Sequence, residues 1–161
     1  MGYEELVSKF LLVCQGLPLS LKVIGALLHS ESPEYWEDQL HKLSQVLPTE
    51  IQNRLKISYD SLDKQEKEIF LDIACFFIGI NRDTAIKLWD GSGWEGSLAL
   101  GSLESKCLVT VDEKNCIRMH DHLRDLGRDL AEKEPPGCPR RFWRPIDNLF
   151  RNVPTQSTVG V

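Results

Sequence analysis

No part of this 161-residue chain is apolar for long enough to cross a bilayer, because polar residues break every run short of the roughly 18 residues needed. Positive charge is also scarce: Lys and Arg total 19 against 24 Asp and Glu, a formal net charge of −5. Such a balance offers little to a nucleic acid backbone unless a basic stripe is concentrated on one face. The five cysteines form no C-x-x-C pair and are odd in number, so they read as reduced thiols rather than a disulfide framework. The phosphate-gripping pattern G-x-x-x-x-G-K-[ST] is missing, and so is G-x-G-x-x-G. The glycines of "DGSGWEG" (Gly91, Gly93, Gly96) neither follow a strand nor precede a lysine, and read as a loop between helices. No self-sufficient nucleotide hydrolase, and no enzyme of any other class, is expected from this chain. "MGYEELVSKF" places two glutamates where a secretory leader carries basic residues, so it is not read as a signal peptide. The expectation is an intracellular protein, cytoplasmic with the nucleus as the alternative. At 42% hydrophobic and 27% charged, it is long enough to bury a core.

Helical periodicity dominates what is there. Residues 4–14 carry apolar side chains at 6, 7, 10, 11, 13 and 14, which predicts an amphipathic helix. Gly16 is placed to end it and Pro18 to open the next, whose Leu17, Leu21, Ile24 and Leu28 share a face. Ser32 and Pro33 read as N-cap and N1 of a third helix running through Trp36, Leu40 and Leu43. Capping boxes are predicted at Thr49/Gln52 and at Asp63/Glu66. The second precedes "IFLDIACFF", apolar on nearly every side with Asp72 as its one charge, which predicts a helix over 64–77 buried on most faces. Shorter helices are expected at 83–89 and 96–105. The β-rich runs "LVTV" and "CIRM" around the polar turn Asp112–Asn115 predict a hairpin, and Met119, Leu123, Leu126 and Leu130 mark a last helix. From Pro135 the Pro-, Gly- and Arg-rich "PPGCPRRFWRP" reads as a connector. The predicted fold is therefore mainly α: a helical part over 1–47, a unit of helices plus one β-hairpin over 48–133, and a connector over 134–161. Helices followed by a two-stranded wing are in the order of a winged-helix fold.

The densest chemistry lies in "IRMHDHLRDL", residues 117–126, which holds two of the four histidines. Cys116, His120 and His122 have the spacing C-x3-H-x-H. Side chains at i and i+2 across a strand-to-helix junction do not converge, however, and no second cysteine pair completes a tetrahedron. No metal site is expected. His120 with Asp121 lacks an evident nucleophile, so no catalytic residue is assigned. The plain reading makes Asp121 the cap of the last helix, with His120 exposed beside it. A winged helix would by default read DNA with the helix before its wing. That helix, "EGSLALGSLESK", offers Lys106 against Glu95 and Glu104 and no arginine, so nucleic acid is not an expected partner. A free-standing winged-helix adaptor working through protein contacts remains the main alternative, with a DNA-binding winged-helix regulator behind it.

Three ordered motifs carry a more specific resemblance: "GLPLSLKVIG" at 16–25, "LKISYDSLDKQEKEIFLDIACFF" at 55–77, and "MHD" at 119–121. Together they resemble the plant intracellular disease resistance proteins with nucleotide-binding (NB-ARC) and leucine-rich-repeat regions, in the branch bearing a Toll/interleukin-receptor domain. The resemblance implies the C-terminal half of that family's nucleotide-switch module. Residues 1–47 would then be part of a helical ARC subdomain, 48–133 a winged-helix subdomain, and 134–161 the passage into leucine-rich repeats. It implies a signalling module of innate immunity that responds to ADP and ATP in a complete receptor, without its P-loop domain here and so binding nucleotide weakly if at all. The implied partners are the P-loop domain and leucine-rich repeats of such a receptor, and other receptor protomers; no membrane partner is implied. Carried over by motif, Pro18 packs against adenine, Leu17 lines the same pocket, His120 contacts the β-phosphate of ADP, and Asp121 holds that loop in place.

Overall fold

A computed structural model describes residues 2–46 and 51–134 of the chain. Three helices come first: α1 (Tyr3–Cys14), α2 (Pro18–Leu28) and α3 (Pro33–Ser44). Next are α4 (Ile51–Asp60) and α5 (Lys64–Asp72), the latter running into a π-helical turn at Ile73–Phe77. Then α6 (Arg82–Gly91), α7 (Gly96–Ser105), strands β1 (Thr110–Val111) and β2 (Ile117–Arg118), and α8 (Asp121–Glu132) complete the described residues. This mostly helical build with one small antiparallel hairpin is the helical-plus-winged-helix fold expected from the sequence.

The local signals act as their chemistry requires. Gln15 and Gly16 both turn left-handed (φ 51° and 66°) to end α1, and Pro18 takes the first position of α2. Ser32 caps α3, its Oγ accepting from the Tyr35 backbone N–H at 3.3 Å. At α5 the capping box is complete: Asp63 Oδ1 accepts from Glu66 N at 2.8 Å, and Glu66 Oε2 accepts from Asp63 N at 3.1 Å. The box predicted at Thr49/Gln52 lies partly outside the described residues, as do residues 135–161 with the connector and Cys138. In the hairpin, Thr110 pairs with Arg118 and Val111 with Ile117, while Asn115 at φ 61° closes the turn.

Glu66 does more than cap. It is buried, and it also accepts from Ser102 Oγ and, at 3.1 Å, from Lys106 Nζ, tying the start of α5 to the end of α7. Lys106, the lysine that a DNA-reading helix would present, is thus half-buried and engaged by a carboxylate. Burial pushes the Glu66 carboxyl up, but the hydrogen bonds from Ser102, Lys106 and the Asp63 backbone, with the Lys106 charge, outweigh it and leave the group below its usual range. A carboxyl lowered on folding adds stability that is whole above its unfolded pKa and disappears as pH falls through the folded one. Acid unfolding of the parent should therefore steepen below the ordinary glutamate range. Glu66→Gln should flatten that limb in melts recorded from neutral pH downward; an unchanged slope would refute the coupling.

The apolar side chains form two clusters. The larger gathers Phe70, Ile69, Ile73, Trp89, Leu100, Leu103, Leu108, Ile117, Leu123 and Leu126 beneath the hairpin. The smaller, made by Phe10, Cys14, Ile24, Leu27, Leu28 and Leu43, joins α1, α2 and α3. Helix α4 lies between them: Leu55 belongs to the larger, Ile57 packs on the smaller, and the helix touches α2, α3 and α8. Along this seam Arg54, Ser58 and, from α2, Ser20 are buried. Among the described residues, the Arg54 Nε and Nη1 and both serine hydroxyls have no hydrogen-bond partner.

One expectation needs correcting. The helix over 64–77 is not regular, and it is not buried on most faces throughout. Phe70 is fully buried, but Phe76 is 48% exposed and Phe77 half-buried against Trp89, at 5.0 Å between ring centroids. The wider i→i+5 turn that begins at Ile73 rotates later side chains away from the α-helical stripe, and Phe76 swings outward. Asp72, the one charge of this segment, is satisfied, accepting from Trp89 Nε1 at 3.2 Å.

Candidate functional site

The junction between β2 and α8 is built by His120. Its backbone is extended (φ −63°, ψ 145°), the conformation of an N-cap, and its ring Nδ1 accepts from the His122 backbone N–H at 3.1 Å. Asp121 was expected to cap this helix; it does not. It takes the first helical position, where its backbone is already helical, and its exposed carboxylate pairs with Arg124 Nη1 at 3.2 Å. A cap must precede the helix, and only His120 has both the extended backbone and an acceptor aimed at the first turn.

This geometry fixes the chemistry of the ring. A nitrogen that accepts from an N–H carries no proton, so in the neutral imidazole the proton sits on Nε2. The free edge of His120 is therefore a donor, at the positive end of the α8 dipole. The His122 ring stacks on it, with centroids 5.2 Å apart and planes 21° from parallel. Stacked rings do not aim two nitrogens at one point. Among the described residues, no group of three or more His, Cys, Asp and Glu is arranged to hold a metal ion.

Beside His120 opens a cleft of about 290 Å³ whose walls come from distant parts of the chain. Leu19 and Lys22 of α2 face Leu108 and Val109 before the hairpin, Arg118 and Met119 on β2 and beyond, and His120 itself. Its floor is apolar and its rim carries Lys22, Arg118 and His120. Arg118 is steered by the wing turn: its Nε donates to Asp112 Oδ2 at 2.8 Å. The Cys116 backbone N–H first, then the Arg118 guanidinium, hold the Asp112 carboxyl below its usual range. Leu17 and Pro18 stand at the start of α2, Leu17 half-buried as its N-cap and Pro18 exposed. They adjoin Leu19 without lining the cleft themselves. Lys22 and Arg118 were missed in the sequence. Lys22 lies one helical turn beyond Pro18, and Arg118 two residues before His120, so motif proximity was the available signal.

Comparison with known proteins gives the family of the chain. Residues 63–134 match the family described as disease resistance protein Roq1-like, winged-helix domain. The chain is 40% identical over 142 residues to disease resistance protein RUN1 of Vitis rotundifolia, covering 88% of this chain and 11% of that protein. It is 38% identical over 148 residues to disease resistance protein RPV1 of the same species, covering 90% of this chain and 10% of the relative. With TMV resistance protein N of Nicotiana glutinosa it shares 34% identity over 154 residues, covering 94% of this chain and 14% of that protein. The chain thus spans a small part of each relative's length. No helix among the described residues is long and apolar enough to cross a membrane. With its three motifs on a helical-plus-winged-helix frame and resistance proteins aligned along most of its length, the chain belongs to the plant disease resistance proteins to which those motifs pointed.

Proposed function

We propose that this chain is the part of an ADP-responsive immune switch that senses the nucleotide's phosphate end, acting in the cytoplasm or nucleus as a non-enzymatic module of a longer receptor. One observation carries the reading: the "GLPLSLK" helix and the "MHD" junction, far apart in sequence, line one cleft rimmed by Lys22, Arg118 and His120. Cationic side chains and a helix-capping imidazole over an apolar floor suit a phosphate joined to an apolar-faced group, as in a nucleoside diphosphate. His120 donates from Nε2, Lys22 and Arg118 supply charge, and Leu17 and Pro18 extend the apolar wall toward the base. Asp121, an acceptor held by Arg124, supports the junction rather than touching phosphate. A P-loop domain supplies the remaining phosphate contacts, and leucine-rich repeats and other protomers are the further partners.

Two measurements test this. Purified 1–161 should hydrolyse no ATP and bind ADP only weakly, since each charged hydrogen bond contributes about 1.5–3 kcal/mol and few are present; submicromolar affinity by calorimetry would contradict it. Within a complete receptor, His120→Ala should release ADP about tenfold faster and shift the switch toward its signalling form, because a ligand biases a switch only through its differential affinity. Asp121→Val should act in the same direction by freeing the junction. Unchanged ADP release in His120→Ala would end the phosphate reading.

A further inference from the structure

The π-helical turn and the residues that follow it, Ile73–Ile80, touch the chain on both sides of His120. Ahead of it, the Gly79 backbone N–H donates to the Ile117 carbonyl at 2.7 Å, and the Ile117 N–H donates to the Ile80 carbonyl at 2.9 Å. These bonds fix β2 three residues before the histidine. Behind it, Arg128 Nε on α8 donates to the Ala74 carbonyl inside the turn at 3.0 Å, in a part-buried position. The neighbouring Gly127 is what lets the two segments approach. A Cβ there would collide with the Ala74 methyl and stand 3.3 Å from Phe70 Cε1. A glycine within a helix is ordinarily a cost, so at a buried contact its use is close approach.

A π turn widens the helix and disturbs its i→i+4 ladder, leaving backbone groups to be satisfied from outside. Here an outside donor is a side chain of the helix that His120 caps. One short segment, Ile73–Ile80, thus grips the strand entering the junction and the helix leaving it. A residue eight positions along a helix moves rigidly with its cap, because the backbone bonds between them do not stretch appreciably.

We propose that the π turn is a register clamp and that Arg128, with Gly127, is a positioning residue that holds the His120 ring in its Nε2–H, helix-capping state. This deepens the reading above, since it assigns the control of the phosphate-contacting group, and it rests on that reading only for its consequence. The clamp itself is a property of the chain without nucleotide.

The experiment uses the full 161-residue chain with nitrogen-15-labelled histidine. In the parent, the His120 ring should show one protonated and one acceptor nitrogen, and the His122 amide should exchange slowly for a first-turn N–H. Arg128→Ala should average the two ring signals and speed His122 exchange by about fivefold, the factor for a lost cap; Arg128→Lys, which keeps a donor within reach of the Ala74 carbonyl, should restore both. If Arg128→Ala does not fold, Arg128→Gln disturbs the same contact more gently and should move the same signals; Gly127→Ala, whose methyl would meet that of Ala74, forces the two segments apart and should move them too. Leu43→Ala, in the separate α1–α3 cluster, is the destabilised control and should leave the His120 ring unchanged. The clamp is overturned if the ring and the amide are unmoved in every Arg128 and Gly127 variant, or if Leu43→Ala moves them equally. A receptor carrying Arg128→Ala then separates the two ideas. Altered ring signals with unchanged ADP release would keep the clamp and remove the phosphate contact, whereas faster release together with altered signals supports both.

Discussion

Phe70→Ala should cost the chain about 3–5 kcal/mol, a large fraction of the stability of an ordinary domain. The ring is fully buried, packs against Tyr59 with centroids 5.4 Å apart, and lies under Gly127 where α8 crosses α5. Removing it empties the point at which α5, α8 and the π turn meet, and close packing leaves no neighbour free to refill that volume. The same substitution six residues later is the internal control. Phe76 is 48% exposed, so Phe76→Ala should change stability by only about 0.5 kcal/mol. Phe77, half-buried on Trp89, should fall between the two. Thermal and urea melts of the three variants decide the matter: equal losses at 70 and 76 would mean that the π turn does not reorient the later residues.

Arg54→Met should do the opposite and raise stability by about 1–3 kcal/mol, the usual cost of a buried polar group without a partner. Arg54 is 1% exposed, its Nε and Nη1 have no hydrogen-bond partner among the described residues, and its charge acts on the buried Cys14 thiol. Burial raises the Cys14 thiol, and the nearby guanidinium only partly offsets this. The thiol is therefore neutral at neutral pH and supplies no counter-charge. Methionine keeps the length of the arginine stem and removes the charge, the kind of exchange that tends to stabilise a buried site. For a chain near this size the melting temperature should rise by about 2–4 °C per kcal/mol. A lower melting temperature would show that the guanidinium is satisfied across the α2–α4 seam. In a receptor, a tighter seam should also slow any transition that parts α4 from α2.

Ser32, Pro33, Asp63 and Glu66, and the polar turn between "LVTV" and "CIRM", each state their local structure within a few residues, because a cap or turn is made by groups no more than one helical turn apart. For the same reason the sequence alone placed His120 at a helix start, and the three ordered motifs carried the family. It assigned the cap of α8 to Asp121 instead of His120, since the choice depends on the backbone angles of His120 against those of Asp121. It could not say that Phe76 faces outward, because apolar composition reads the same in an α and a π turn. Lys22 meeting His120 across one cleft, Arg128 reaching the Ala74 carbonyl, and α4 with its buried Arg54 packing on α2 are contacts between segments distant in the chain. No periodicity encodes such pairs. They exist only once Val23, Leu55, Phe70 and Leu123 bring their helices into a common core, and that packing, summed over the whole chain, is what decided the site.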